Sequence, residues 1–262
     1  MTETPIVAIR GLGLWMDGYP SVPAWSLRIP DPDADKPTGK AFDRINRRRA
    51  GKMGRAIADA AAEAMEQAVV DTSSISTVVG SSIGEATTMI GLLEQMWREK
   101  TPMSPAAFTV SVHNAASGLL SISNKNTGFT TSLAADEDTP GVAMLEAIGL
   151  VLDRGLPALV VCADEAAPLK LLKDAPNWDL IAGAIVLAPL EKDSPHLARV
   201  RVLCGQEATL PEADLTQNLV HNPQAGILNM IDAVLQGATG SVRLDRNTGC
   251  GYAAELDFAG TR

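Results

Sequence analysis

Two uninterrupted apolar runs constrain the fold of this chain more than any other feature. Residues 158–163 read Ala-Leu-Val-Val-Cys-Ala, and residues 181–188 read Ile-Ala-Gly-Ala-Ile-Val-Leu-Ala. A strand without polar alternation needs cover on both faces, which helices packed on a buried sheet provide. Hydrophobic residues make up 46% of the chain and aromatic residues only 4%, so helices and strands can approach closely. We therefore predict an α/β fold with helices on both faces of the sheet and these two runs as its central strands.

Length and charge narrow the class of protein. At 262 residues the chain is expected to form a single domain. A formal net charge of −9 repels phosphate backbones and anionic lipid, which argues against nucleic acid and membrane surfaces as partners. No signal-peptide pattern opens the sequence, and no apolar run reaches the roughly 20 residues that span a bilayer. These features predict a soluble, cytoplasmic protein.

The cysteines do not form a recognisable framework. Cys162, Cys204 and Cys250 are odd in number, far apart in the sequence and without metal-ligand spacing. They predict neither a disulfide scaffold nor a zinc site. We expect Cys162 in the core because it lies within an apolar run, and we expect neither a cofactor nor a metal.

Hydrophobic periodicity and turn signals place the other elements. The first strand, Ile6–Ile9, is expected to end in a turn at Gly11 and Gly13. Only a short turn separates the run at 181–188 from the next one at 198–204, so we expect these two strands to pair with each other antiparallel. The remaining predictions are helices over 43–70, 87–98, 112–124 and 223–236, a helix before the run at 158, and strands over 75–82, 129–133, 240–244 and 252–256.

Two predicted helices carry surfaces with alternative interpretations. The helix over 87–98 has an apolar stripe, typical either of core packing or of a subunit interface, formed by Met89, Leu92, Leu93 and Met96. The helix over 43–70 begins with a basic cluster, which is either a solvated helix end or a docking patch for an acidic carrier or another carboxylate-rich partner. The docking candidates are Arg47, Arg48, Arg49 and Lys52, in a cluster that also includes Arg44 and Arg55.

The segment 108–165 is the predicted location of the chemistry. It reads as helix, strand, turn, helix and strand, and a strand that enters a helix through a sharp turn commonly carries a nucleophile in α/β enzymes. The turn at 134–141 contains no cysteine. Its acids Asp136, Glu137 and Asp138 are interpreted as caps of the following helix or, for Asp138, as one half of a catalytic pair with His113. His113 itself is either a structural histidine or a base.

The stretch Phe108–Gly118, with the strand, turn and helix behind it, resembles the N-terminal half of the β-ketoacyl synthases, which have a thiolase fold. The resemblance covers residues 5–205 and implies one thiolase half with a mixed sheet. A helix and a pair of strands within 206–262 are expected to complete this sheet as a short C-terminal extension. In that family the turn holds an acyl-accepting cysteine, whose position falls at about Asp138. A carboxylate is a weak nucleophile toward a thioester. The family's two catalytic histidines have no counterpart in a matching context here.

A narrower resemblance indicates the class of function. Ser-Val-His-Asn-Ala at 111–115 and Ala-Ala-Asp-Glu-Asp-Thr at 134–139 are similar to the short ketosynthase-like proteins of aryl-polyene and related type II fatty-acid or polyketide systems, which resemble chain-length factors. This implies a catalytically silent subunit that pairs with an active β-ketoacyl synthase, or with a second copy of itself, and that an acyl carrier protein can contact. In that family dimers form through the strand before the nucleophile turn. The expected interface residues are Phe129, Thr130, Thr131, Ser132 and Leu133.

Two other functions stay open on the sequence. The first is an acyl-thioester hydrolase or acyltransferase that acts alone, with His113 as the base and Asp138 or Ser117 beside it. The second is a homodimeric binder of acyl chains without chemistry. Because the turn lacks a cysteine, we favour a chain that does not catalyse condensation on its own.

Overall fold

One mixed sheet organises the residues that the structure describes, which are 5–171, 178–191, 194–245 and 249–259. In the computed structural model the strands are β1 (Val7–Met16), β2 (Ser76–Gly80), β3 (Thr130–Leu133), β4 (Ala158–Asp164), β5 (Ile181–Ala188), β6 (Ala198–Cys204), β7 (Gly240–Arg243) and β8 (Tyr252–Asp257). Among the described residues they form a sheet of eight strands in the order β3-β2-β4-β5-β1-β6-β8-β7.

The helices lie in the connections between these strands. They are α1 (Val22–Ser26), α2 (Arg44–Arg49), α3 (Lys52–Ala68), α4 (Ala86–Glu94), α5 (Pro105–Phe108), α6 (Ala115–Ser123), α7 (Thr139–Arg154), α8 (Gln217–Val220) and α9 (Ala225–Gln236). A π-helical turn over Gln95–Glu99 continues α4, and a 3₁₀ turn over Asp136–Asp138 precedes α7.

The strand directions and burial confirm the predicted fold class. β2 runs parallel to β3 and to β4, whereas β5 runs antiparallel to β4 and to β1, so the sheet is mixed. β4 and β5 are buried along their whole length. Helices α3 and α6 pack on one face of the sheet, and α7 and α9 pack on the other. The two apolar runs are therefore central strands, as predicted.

The predicted pairing of β5 with β6 is wrong. β1 lies between them and pairs antiparallel with β5 over most of its length and with β6 through Val7–Ile9. The connection over residues 189–197 has enough chain to step across one intervening strand, since neighbouring strands lie only about 4.8 Å apart. A short connection therefore did not require a hairpin.

The glycines of β1 are packing positions, and the predicted turn at Gly11 and Gly13 is wrong. The strand runs through both residues to Met16. Helix α3 crosses directly above them: a Cβ at Gly11 would lie 2.1 Å from the carbonyl oxygen of Ala64, and one at Gly13 would lie 1.9 Å from that of Ala60. The absence of two side chains lets the backbones of helix and strand come into contact.

The predicted helix over 43–70 is two helices. It breaks at Ala50 and Gly51, whose extended backbone ends α2 and begins α3. The remaining predicted elements were found with small shifts of their ends, including the helix over 112–124, which begins only at Ala115. After residue 205, α9 packs on the sheet and β7 and β8 extend it beyond β6.

Adding one methyl group at the contact between β1 and α3 tests this packing. Gly13→Ala would place a Cβ against the Ala60 carbonyl, so strand and helix must separate, and we expect a loss of about 3 kcal/mol in the free energy of unfolding. Gly149→Ala on α7 is the control, because its Cβ meets open space and alanine favours helix by about 1 kcal/mol. Urea denaturation followed by circular dichroism measures both, and equal stability of the two variants would contradict the packing.

Candidate functional site

The connection from β3 to α7 is a sharp turn at a helix N-terminus. Asp136 has a left-handed backbone with φ of +51°, which is uncommon for a residue other than glycine. The Thr139 hydroxyl accepts from the Ala135 amide at 3.0 Å and donates to the Asp136 carbonyl at 2.6 Å. The Ser82 hydroxyl donates to the same carbonyl at 2.9 Å. This turn, at the carboxyl ends of β2 and β3, has the shape that positions a nucleophile at the start of α7.

The residue at the tightest point of the turn is Asp136, two positions before the residue that the sequence indicated. The Asp136 side chain is exposed, whereas Asp138 is half-buried. Asp138 occupies the N-cap position of α7, but its carboxylate does not cap that helix. It accepts from the amide of Cys250, at 2.8 Å through Oδ1 and 3.1 Å through Oδ2. The turn before β8 is thereby held against the N-terminus of α7.

A fully buried carboxylate lies next to this turn. Asp164, the last residue of β4, accepts from the Ser81 hydroxyl at 2.5 Å, from the amides of Ser82 and Ile83 at 2.8 and 3.2 Å, and from Nε2 of Gln224 at 2.7 Å. Burial raises the pKa of Asp164, and these hydrogen bonds oppose the rise. Because Gln224 also donates to the Ser82 hydroxyl at 3.0 Å, the network joins β4, the segment after β2 and the start of α9 to the sharp turn.

A pair of acids, Glu85 and Glu165, lies at the same end of the sheet. The sequence analysis did not identify it. Burial, followed by repulsion from Glu165, raises the pKa of Glu85 to about 7, and burial also raises the pKa of Glu165. The Glu85 side chain lies beside Gly51, with Oε2 3.2 Å from where a Cβ would be. These acids come shortly after β2 and directly after β4, neighbouring parallel strands whose carboxyl ends meet, and that placement was the available signal.

The three catalytic candidates from the sequence bind different groups. Nε2 of His113 lies 2.8 Å from the Ser81 carbonyl. The Ser117 hydroxyl donates to the Asn114 carbonyl at 3.0 Å and lies 2.8 Å from the Ser132 hydroxyl. Asp138 binds the Cys250 amide, as described above. His113 therefore contacts the segment after β2 and Ser117 links α6 to β3, and the hydrogen bonds of the described residues join neither of them to Asp138.

Most of the basic docking candidates are engaged within the chain. Arg47 donates to the carbonyls of Gly39 and Phe42 at 3.2 and 3.1 Å, and Arg49 donates to the Thr109 hydroxyl at 2.8 Å. Lys52 pairs with Asp17 at 2.7 Å and lies over the ring of Trp15. All four candidates, Arg48 included, are exposed. The cluster thus combines structural contacts with exposed charges.

The described residues contain neither a metal-binding group nor a membrane-spanning helix. No group of three or more His, Cys, Asp or Glu side chains in these residues is arranged to hold a metal ion. Within the same residues no helix is both long and apolar enough to cross a membrane.

Comparison with known families shows to which family the chain belongs. A sequence model described as the N-terminal domain of β-ketoacyl synthase matches residues 23–247. The chain belongs to this family. The match includes the sharp turn and continues after β6 through β7. A search of curated proteins found no match.

Solved structures of ketosynthases and their partners share the fold. A structure of the ketosynthase ApeO in complex with its chain length factor ApeC from Xenorhabdus doucetiae aligns over 97% of this chain and 100% of the matched chain, with 18% identity and a TM-score of 0.68. The ishigamide ketosynthase/chain length factor aligns over 76% and 68%, with 15% identity and a TM-score of 0.63. A type II PKS acyl-carrier protein in complex with its ketosynthase aligns over 78% and 70%, with 15% identity and a TM-score of 0.61. These similarities establish a thiolase-like α/β fold.

The buried Glu85 should make stability depend on pH. Its folded-state pKa of about 7 lies above the reference value of 4.5, so ionisation opposes folding and its contribution to stability is lost as pH rises through 7. Glu85→Gln removes the ionisable carboxyl group, so the variant does not lose this stability as pH rises. Between pH 5 and pH 8 the stability of the variant relative to the natural chain should rise by about 2.5 kcal/mol.

Chemical denaturation at a series of pH values measures this difference. Glu146→Gln on the exposed face of α7 serves as the control and should leave the pH profile unchanged. Parallel profiles for Glu85→Gln and the natural chain would show that the Glu85 carboxylate is not buried as described.

Proposed function

We propose that this chain is a catalytically silent ketosynthase-like subunit of the chain-length-factor type, which pairs with an active β-ketoacyl synthase in fatty-acid, polyketide or aryl-polyene biosynthesis. The observation that carries the proposal is the sharp turn before α7, which is retained as a backbone structure but has acids where a thiol is required. The similarity to solved complexes of ketosynthases with chain length factors supports the same assignment.

The chemistry of the turn supports silence toward condensation. Asp136, Glu137 and Asp138 offer only carboxylates, and the mixed anhydride that a carboxylate would form with an acyl group is not a stable chain carrier. A thiol does approach the start of α7 from the turn before β8, that of Cys250. The carboxylate of Asp138, by hydrogen bonding and by charge, raises the pKa of this thiol, so it stays protonated and is a poor nucleophile at neutral pH.

The main chain of β3 supports pairing with another subunit. In the described sheet β3 has β2 on one side and no strand on the other. The carbonyls of Phe129 and Leu133 accept from β2, at 2.8 Å from the Thr77 amide and 3.1 Å from the Ser81 amide. By strand alternation Thr130 and Ser132 direct their N–H and C=O groups toward the open edge. A second strand could extend the sheet there.

Exposed apolar side chains before β3 support the same surface. The stripe on α4 was interpreted as core or interface, and only Leu92 is buried, whereas Met89, Leu93 and Met96 are exposed. The following segment adds Trp97, which is 73% exposed, and Phe108, which is 55% exposed. Large apolar residues clustered on a surface are typical of protein–protein interfaces. We assign this patch, together with the β3 edge, to the ketosynthase partner, and a second copy of this chain is the alternative occupant.

A proline at the open edge tests the pairing. Thr130→Pro removes an N–H that faces away from β2, so the sheet of the chain should persist while strand addition across the edge is lost. Thr130→Val is the matched control, because it keeps the N–H and changes only the side chain. We expect the natural chain and Thr130→Val to co-purify with a co-expressed active β-ketoacyl synthase, and Thr130→Pro to elute alone.

Co-expression followed by size-exclusion chromatography with light scattering measures both outcomes. Circular dichroism of Thr130→Pro establishes that it is folded. A natural chain that stays monomeric with its ketosynthase would overturn the proposal, and a homodimer broken by Thr130→Pro would assign the surface to a second copy.

A thiol placed in the turn tests whether the chain lacks condensation activity. In a background with Cys204→Ser and Cys250→Ser, we compare Asp136→Cys with Asp138→Cys. We expect Asp136→Cys to react faster with iodoacetamide, since it lies exposed at the helix N-terminus while position 138 is half-buried. Neither variant should consume a malonyl thioester, because no histidine of the described residues hydrogen-bonds to the turn. Condensation by either variant would show that the chain is a functional enzyme framework.

A further inference from the structure

Two cysteines that are distant in the sequence meet at one end of the sheet. Cys204 ends β6 and lies opposite Tyr252 of β8, and Cys250 comes two residues before Tyr252. Cys250 lies just outside this ladder, in the turn that leads into β8. Sγ of Cys204 lies 3.8 Å from the carbonyl oxygen of Cys250, and both residues are exposed.

The backbone holds the two residues in place. Beyond the end of the ladder, the amide of Gly205 donates to the carbonyl of Gly251 at 3.0 Å. Gly251 has φ of +85°, so the chain bends immediately after Cys250. Sγ of Cys204 already lies against the main chain of Cys250, and closure of a disulfide then requires the Cys250 side chain to turn toward it.

We propose that Cys204 and Cys250 form a dithiol site that a low-molecular-weight disulfide, such as glutathione disulfide, converts to an intramolecular disulfide. One thiolate attacks a sulfur of glutathione disulfide, forms a mixed disulfide and releases one glutathione. The second thiol loses its proton and attacks the protein sulfur of that mixed disulfide, which releases the second glutathione. The protein loses two hydrogen atoms, and glutathione disulfide is reduced to two glutathione molecules.

The environment of Cys250 affects how easily this thiol reacts. The Asp138 carboxylate, which accepts from the Cys250 amide at 2.8 Å, raises the pKa of the Cys250 thiol by hydrogen bonding and by charge. Tyr252 lies beside the same groups. Mildly alkaline conditions therefore favour the exchange at Cys250.

The disulfide would tie β6 to the turn that covers the start of α7. The Cys250 amide already binds Asp138, and Tyr252 packs where Gly141 of α7 lacks a side chain, 2.5 Å from the position of a Cβ. A covalent link closes the loop between residues 204 and 250 and restricts the unfolded chain. Oxidation should therefore stabilise the C-terminal strands against the sharp turn.

The test treats the folded natural chain with excess glutathione disulfide at pH 8 and measures intact mass without reduction. We expect the loss of two hydrogens with no retained glutathione, a cross-linked peptide containing Cys204 and Cys250, and a melting temperature several degrees higher than that of the reduced chain. Cys204→Ser and Cys250→Ser should each retain one glutathione and show no such rise. Cys162 is the internal control, since burial raises the pKa of its thiol and it should stay unmodified.

Three results would overturn the proposal. They are two glutathione molecules retained on the natural chain, disulfide-linked dimers on non-reducing electrophoresis, and no reaction at all. The mass and peptide map of the natural chain decide between these outcomes even if one serine variant fails to fold.

Discussion

The burial of one carboxylate organises the functional end of this molecule. Asp164 is completely enclosed at the end of a central strand, and an unpaired carboxylate there would carry a large desolvation penalty. Four donors satisfy it, from the segment after β2 and from Gln224 at the start of α9. Since Ser82 also holds the Asp136 carbonyl, the backbone of the sharp turn depends on the same network. Loss of any donor would disturb both the sheet end and the turn.

This network shows that the shape of the turn does not depend on a nucleophile. The left-handed residue, the helix N-terminus and the hydroxyls of Ser82 and Thr139, which donate to the Asp136 carbonyl, maintain the turn. One of its acids, Asp138, holds the segment before β8. A ketosynthase framework used for assembly needs only the shape of this region, which agrees with the function that we propose.

Two regions of the molecule contribute differently to that function. In the first, α3 lies so close to β1 that glycine is required at the contact, which makes this part of the molecule rigid. In the helical segment after β2, by contrast, large apolar side chains remain exposed. A rigid framework that carries an exposed apolar surface is suited to the partner-dependent subunit that we propose.

The sequence by itself determined the fold class, the central strands and the family, because continuous apolar runs and the residues around the sharp turn are local signals. It also placed β3, although the identification of its edge as an interface remains a proposal. Only the tertiary structure decided that β1 separates β5 from β6, that Gly11 and Gly13 are helix contacts, and that Cys204 meets Cys250. It also brought Glu85 beside Glu165 and gave His113 and Asp138 different hydrogen-bond partners. Each of these depends on contacts between segments far apart in the chain, and local periodicity carries no information about which distant backbone will pack against a given residue.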